Sequence, residues 1–431
     1  MLNWSEANQQ QRQAALARPV ADNADNVRIT VAEILADIRQ RGDEALRALT
    51  AKFDKINLEK LQLSEADTQA LAQQLEPNVK SAIDVAYDNI LKFHQQQAYK
   101  GFTTETSSGV TCELHYAPLE AVGLYIPGGT APLPSTVLMV GVAAKVAGCE
   151  KRILCTPPND EGKIHPAIAY AALRCGINEI NLIGGAQAIA AMAFGTQSVT
   201  RADKIFGPGN AFVTEAKQQV SSMAGGPAID MPAGPSEVLV IADENANPEF
   251  IASDLLSQAE HGKDSQAILV CNSQTVIAQT QQAVEQQLAR LSRNEIAEAA
   301  MQNARYILTQ SVRESVAVSN LYAPEHLIVQ TDNPRELLAS IKNAGSIFLG
   351  KWSPESAGDY ASGTNHVLPT YGYARNYSSL GVADFLRRYT VQELSYDGLA
   401  NIGAAIMDLA DAEGLDAHRN AVAIRLTQET M

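Results

Sequence analysis

At 431 residues the chain is long enough for two or more domains, each able to bury its own core. Hydrophobic residues make up 46% and charged residues 19%, the balance expected of an ordinary globular protein. A formal net charge of −15 excludes the basic surface that phosphate-backbone binding or docking on an anionic membrane needs.

The opening stretch, MLNWSEANQQQRQ, is polar and lacks the apolar run of a secretory signal. The apolar stretch 133–149 is broken by Gly and Lys and is too short to span a bilayer. The five cysteines, Cys112, Cys149, Cys155, Cys175 and Cys271, are scattered and form no CxxC pair. Reduced thiols in a cytoplasmic enzyme are expected, not a disulfide framework.

Residues 5–98 read as helical. An amphipathic pattern runs from Thr30 to Phe53 with a break at Gly42, and Ser64 followed by Asp67 marks a helix start. No chemistry is visible there. From 109 the period changes: Val110, Cys112, Leu114 and Tyr116 alternate, which predicts a strand or hairpin over 109–126. Strands are then predicted at 121–126, 152–155, 179–183 and 203–206, with helices at 134–147, 165–175, 186–194 and 210–222. After AGGPAIDMPAGPS the rhythm restarts. Strands are predicted at 237–242, 267–271, 305–308, 326–330 and 346–349. Helices are predicted at 248–261, 274–292, 311–321 and 334–343.

This alternation predicts an α/β chain of two consecutive Rossmann-like parallel-sheet domains, after an N-terminal helical region and before a C-terminal arm. The boundaries read as 1–108, 109–230, 231–380 and 381–431. Residues 351–380, rich in Gly, Ser, Tyr and Asn, break the rhythm, and long irregular stretches of this kind are often functional. The tail 390–431 reads as helix, with a short possible strand at 421–426.

Chemistry concentrates in LLSQAEHGKD, 255–264. Gln258 and His261 are three apart, so on a helix they share a face, and Gly262 is a natural stop. Two metal ligands, or a surface Gln beside a helix-end His, both fit that spacing. His94, His115 and His165 sit in plain contexts. His326 follows Pro324-Glu325, His366 follows Thr364-Asn365, and His418 lies five residues after Glu413. Asp359 is a lone carboxylate in a small-residue loop, either a turn residue or a ligand. Gln258, His261, Asp359 and His418 would together form a mixed N/O set suited to zinc.

Gly-rich turns at 127–129, 184–187 and 207–210 each follow an apolar strand and precede a helix, where ligands of parallel sheets bind. Asn210 would stand at a helix N-terminus, favourable for phosphate. None of these turns is GxGxxG, so close packing and nucleotide binding both remain open. A cysteine nucleophile is a rival, but no motif couples any thiol to a base. A catalytically silent nucleotide-binding scaffold is another.

The stretches GLYIPGGTAPLPSTVLM, KIFGPGNAFVTEAK, DMPAGPSEVLVIAD, SDLLSQAEHG, YAPEHL and WSPESAGDYASGTNHVLPT together closely resemble histidinol dehydrogenase, in order and from about 28 to 425. The resemblance implies oxidation of L-histidinol through L-histidinal to L-histidine, the last two steps of histidine biosynthesis, with two NAD consumed and one zinc per subunit. It implies Gln258, His261, Asp359 and His418 as zinc ligands and Glu325 and His326 as proton acceptors. The metal ligands, with Ser236, His326 and Glu413, would line the substrate pocket, and Tyr125, Gln187 and Asn210 would contact NAD. It further implies a homodimer whose C-terminal segments lend Glu413 and His418 to the neighbouring site. The role of His366 stays open.

Overall fold

A computed structural model describes residues 1–19, 24–128, 132–232 and 234–427. Gly129 of the first Gly-rich turn, Ala233 and the tail end 428–431 lie outside them. Strand β1 is Leu2–Asn3 and an antiparallel hairpin follows as β2 (Phe102–Ser107) and β3 (Val110–Pro118). Then come β4 (Ala121–Tyr125), β5 (Lys151–Thr156), β6 (Glu179–Leu182), β7 (Lys204–Phe206) and β8 (Ala228–Ile229). The second series is β9 (Glu237–Ala242), β10 (Gln266–Cys271), β11 (Arg305–Leu308), β12 (His326–Gln330) and β13 (Ser346–Leu349), and β14 (Leu386–Leu394) closes the set.

Both series are wound alike. Among the described residues the first sheet runs β6-β5-β4-β7-β8 and the second β1-β11-β10-β9-β12-β13, every pair parallel. In each, the first strand of the series is central and the winding reverses beside it, as in Rossmann-like sheets. The reason is legible in the strands. β4, β9, β10 and β12 are buried at every residue, the continuous apolar runs of sheets covered on both faces. Alternate residues feed opposite cores: Val238 and Val240 join one cluster, Leu239 and Ile241 the other. Each such side chain contributes roughly 1.5–3 kcal/mol by leaving water.

The N-terminal region is helical as predicted, with helices Ala24–Arg41 and Asp43–Phe53 separated at Gly42, whose φ of 57° suits glycine. Ser64 caps the helix Glu65–Gln73 by accepting from the Asp67 N–H. The first residues do something else: β1 pairs with β11, and Trp4 enters the core of the second sheet.

Three expectations need correction. The tail is not helical from 390, because Leu386–Leu394 pairs antiparallel with β3 over nine residues. Its Tyr389, Thr390 and Val391 are good strand formers, and β3 offers a free edge. No strand forms at 421–426, since those residues continue the helix Asp416–Thr427. The segment 334–343 is a 3₁₀ helix, Pro334–Ser340, and not an α-helix. The strand β2 and the helix Asn294–Met301 were not foreseen. No helix among the described residues is long and apolar enough to cross a membrane.

One buried ion pair fixes the loop after β7. Lys217, on the helix Ala211–Ser222, pairs with Asp230, and the two side chains are 5% and 1% exposed. Lys217 Nζ also donates to the Gly207 carbonyl at 3.0 Å, and Asp230 Oδ2 accepts from the Gly207 N–H at 2.8 Å. Gly207 has φ 116°, and a Cβ there would lie 2.0 Å from the Tyr125 carbonyl oxygen, so no other residue fits. Asp230→Ala strands a buried ammonium and is expected to cost about 3–5 kcal/mol in urea unfolding. Adding Lys217→Met should restore part of that loss, and simple additivity of the two changes would show that the pair is not coupled.

Candidate active site

The helix Pro248–Ala259 returns the chain from β9 to the start of β10 and so carries its C-terminal end to the amino edge of the second sheet. Asn247 caps it at the other end. Gln258 lies in its last turn and is fully buried. His261 is already past the helix end: its N–H donates to the Gln258 carbonyl at 3.3 Å in a turn. The two therefore share a helix terminus and not a regular helix face. The irregular stretch after β13 holds the short helix Glu355–Tyr360, which places Glu355 and Asp359 one turn apart. His261, Glu355 and Asp359 present ligand atoms all within 4.8 Å of one another. His261 Nε2 is 3.9 Å from Asp359 Oδ2. With its amide nitrogen turned inward, Gln258 donates to Glu355 Oε1 at 3.0 Å.

Glu325 and His326 enter from β12. Glu325 Oε2 accepts from the backbone N–H of Glu237 at 2.8 Å, and His326 Nδ1 lies 3.2 Å from the Glu237 carbonyl oxygen. His326 Nε2 is 3.6 Å from Asp359 Oδ1 and, among the described residues, has no hydrogen-bond partner although buried. Burial pushes the Glu325 carboxyl up to about 7. Burial works against the charged form of His326, but Glu325, Glu355 and Asp359 outweigh it and raise the imidazole to about 10. An ordinary imidazole titrates near neutrality, and the three carboxylates are what move this one above it. Glu355 is pushed well above the usual carboxylate range by burial. Asp359 stays low despite burial, held down first by His326, whose Nε2 lies 3.6 Å away, and then by the charges of His366 and His261.

His366 supports this group. Its Nδ1 meets the Asp359 carbonyl oxygen at 2.9 Å, and its Nε2 is 3.4 Å from Thr136 Oγ1. Ser236, Glu325 and His366 line a cleft of about 70 Å³ together with Gly207, Pro208 and Gly209.

The nucleotide candidates gather elsewhere. Tyr125, Gln187 and Asn210 line one cavity of about 640 Å³ at the carboxyl edge of the first sheet, within the range of small-molecule and cofactor sites. The Tyr125 hydroxyl accepts from the Gly185 N–H at 3.1 Å. The Asn210 side chain caps its helix, accepting from the Phe212 and Val213 N–H groups at 3.1 Å. Glu413 and His418 lie apart: Glu413 is in the turn after the helix Tyr396–Ala412 and His418 is on the helix Asp416–Thr427, both are exposed, and neither belongs to the cluster of possible ion ligands among the described residues.

Sequence reasoning missed Glu355. Its i,i+4 spacing to Asp359 was the available signal, hidden by the Gly- and Ser-rich setting. The cysteines are no rivals: burial pushes Cys149 and Cys271 up to about 11, Cys175 to about 12, and Cys155 higher still. Cys112 lies on β3, paired with Thr104 and Gln392 on its two sides.

A family model described as histidinol dehydrogenase matches residues 17–426. A histidinol dehydrogenase of Vibrio parahaemolyticus is 56% identical over 427 residues, covering 99% of this chain and 98% of that protein. One from Vibrio cholerae is 55% identical over 423 residues, covering 98% and 97%. The crystal structure of histidinol dehydrogenase from Elizabethkingia anophelis matches with a TM-score of 0.94 at 48% identity, covering 100% of this chain and 98% of that one.

The imidazole and carboxylates around His261 fit a divalent ion of borderline softness, and the unpartnered His326 Nε2 lies beside them. His261→Asn is expected to weaken zinc binding about tenfold or more in a competition titration with a chelating dye. Unchanged affinity in that variant removes His261 from the ligand set.

Proposed function

The chain belongs to the histidinol dehydrogenase family, whose activity is the NAD- and zinc-dependent oxidation of L-histidinol to L-histidine, and on that premise we propose how its residues share the work. Gln258, His261 and Asp359 would hold zinc from one chain, with His418 from a second copy. Zinc bound there would supply a fixed double positive charge that orients the substrate's nitrogen donors and compensates the carboxylates around His326. NAD would serve as hydride acceptor for both oxidations, in the cavity lined by Tyr125, Gln187 and Asn210.

His326, once those carboxylates are compensated, accepts the proton of the alcohol. Glu325, on the wall of the small cleft beside Ser236, activates the water that hydrates the aldehyde. The observation that carries this reading is the convergence of the Glu325–His326 pair and the His261, Glu355 and Asp359 ligand atoms at one sheet edge.

Glu413 and His418 suit a site completed by a partner, since they are exposed and distant from the ligand cluster of their own chain. Exposed apolar side chains on the same elements, Leu409, Leu415 and Ile424, supply surface for a homodimer. A division of the chain at 108, 230 and 380 and a cytoplasmic setting complete the reading, the latter favoured by unpaired cysteines.

Two NADH per L-histidinol are expected, lost on chelation. Glu325→Gln should abolish most of the aldehyde step while sparing the alcohol step, and equal loss in both sinks the division of labour. With the carboxyl near 7, the base form is lost as pH falls through that value, so the aldehyde step should decline on the acid side. The shared site has its own test. Inactive His261→Asn and His418→Asn chains, mixed equally under subunit exchange, should regain about a quarter of wild-type activity if each site draws on both chains. No recovery places both residues in one chain's site.

A further inference from the structure

Of the groups the chemistry above leaves unused, the most fully built is the ion pair between Arg18 and Glu237. Glu237 opens β9 with its carboxylate only 2% exposed, and Arg18 reaches it from the N-terminal segment. The contact is a two-pronged fork: Nε to Oε1 at 2.5 Å and an Nη to Oε2 at 3.0 Å. The same guanidinium donates to the Tyr322 carbonyl at 2.9 Å and lies 3.9 Å from the centre of the Tyr322 ring. Glu237 Oε1 also accepts from the Tyr371 N–H at 2.8 Å, and the Tyr371 hydroxyl donates to the Pro19 carbonyl at 2.6 Å.

What this pair fixes is specific. The peptide N–H of Glu237 holds the Glu325 carboxylate, and its carbonyl oxygen faces His326 Nδ1. One residue thus sets the position of both proton-handling side chains through its backbone, and its own side chain is fixed from outside by Arg18. Two non-glycine residues with positive φ adjoin the pair: Ala323 at 56°, which leads directly into Pro324-Glu325-His326, and Tyr371 at 55°. Side chains are disfavoured in that region, and such residues persist where their surroundings hold them. Here Tyr371 is held by the Glu237 carboxylate, and the Ala323 carbonyl lies 3.4 Å from the Arg18 guanidinium.

We propose that Arg18 is a positioning residue of the reaction: through Glu237 it sets Glu325 and His326 in register with the substrate. The proposal rests on the reading of Glu325 and His326 as the proton-handling pair. A merely structural ion pair would change the amount of folded protein and leave each folded site at full speed.

The test uses the full-length, zinc-loaded enzyme, with rates normalised to zinc bound per folded chain. Arg18→Gln is expected to lower kcat about tenfold or more, the scale of a sub-ångström to ångström misplacement, with KM for histidinol and NAD within about threefold of wild type. Arg18→Lys keeps the charge and loses the fork, so its kcat should fall between the two. If Arg18→Gln does not fold, Arg18→Lys alone decides. A kcat per loaded site within about twofold of wild type, or a loss expressed wholly in KM, overturns the proposal. Glu325→Gln measured alongside separates the two readings. If it is inactive in the aldehyde step while the Arg18 variants keep kcat, only the positioning role fails. If it is fully active, the acid–base reading falls and the proposal falls with it.

Discussion

Carboxylates crowded into a buried sheet edge must each find a counter-charge or a proton, and the amino edge of the second sheet brings together Glu237, Glu325, Glu355 and Asp359, with Asp254 one helical turn from Gln258 toward the opposite edge. The chain meets the requirement separately for each. Glu237 takes Arg18. Asp254 takes the Gln330 amide at 2.7 Å, and burial lifts it to about 7. Glu325 takes a backbone N–H, Glu355 is driven toward its neutral form, and Asp359 faces His326 and His261. The excess negative charge left around one imidazole is what makes this edge receptive to a divalent ion. The same charge raises the His326 imidazole, so in the proposed mechanism metal binding and proton transfer would be coupled through electrostatics.

The two sheets share one winding and use opposite edges. The large cavity opens at the carboxyl ends of the first sheet, at its switch point, as the general rule for such sheets expects. The proposed acid–base pair, Glu325 and His326, sits at the amino ends of the second, where His326 and Glu237 are the first residues of their strands. The loop after β7 connects the two places. Gly207, Pro208 and Gly209 wall the small cleft beside Glu325, and the next residue, Asn210, lines the large cavity. The Lys217–Asp230 pair fixes this loop from beneath, so a tethered backbone joins the large cavity to the cleft beside Glu325.

Much of this was legible in the sequence because fully buried parallel strands leave continuous apolar runs, and those runs at 121–126, 237–242 and 326–330 mark the strands closely. β14 was not legible. It is exposed along nearly its whole length, so no alternation marks it, and it is a strand only because β3 presents an edge. At the site, Gln258 and His261 were visible from their spacing, though the turn after Ala259 and not the helix aims His261. Glu355 was hidden because burial, not composition, gives it significance. Arg18 could not be read at all: its partner lies 219 positions away, and nothing local distinguishes it from other surface arginines. Glu413 and His418 stand exposed and outside the ligand cluster of their own chain, so nothing in its packing marks them.

The thiol inventory sharpens the chemistry of the second oxidation. An aldehyde can be oxidised after addition of a thiolate or after addition of water, and both routes need a nucleophile beside the carbonyl. Four of the five cysteines are buried in sheet or helix cores with their pKa values pushed up, and the fifth lies on a strand of the antiparallel sheet. None lines the small cleft. Water is therefore the nucleophile this architecture can offer, and water needs a base that is ionised near neutrality and lies outside the ion-binding cluster. Glu325 meets both conditions: burial brings its carboxyl to about 7, and it forms part of the cleft wall without belonging to the ion-binding cluster. The same burial that would be a liability in a structural carboxylate is what would suit this one to the proposed role of base.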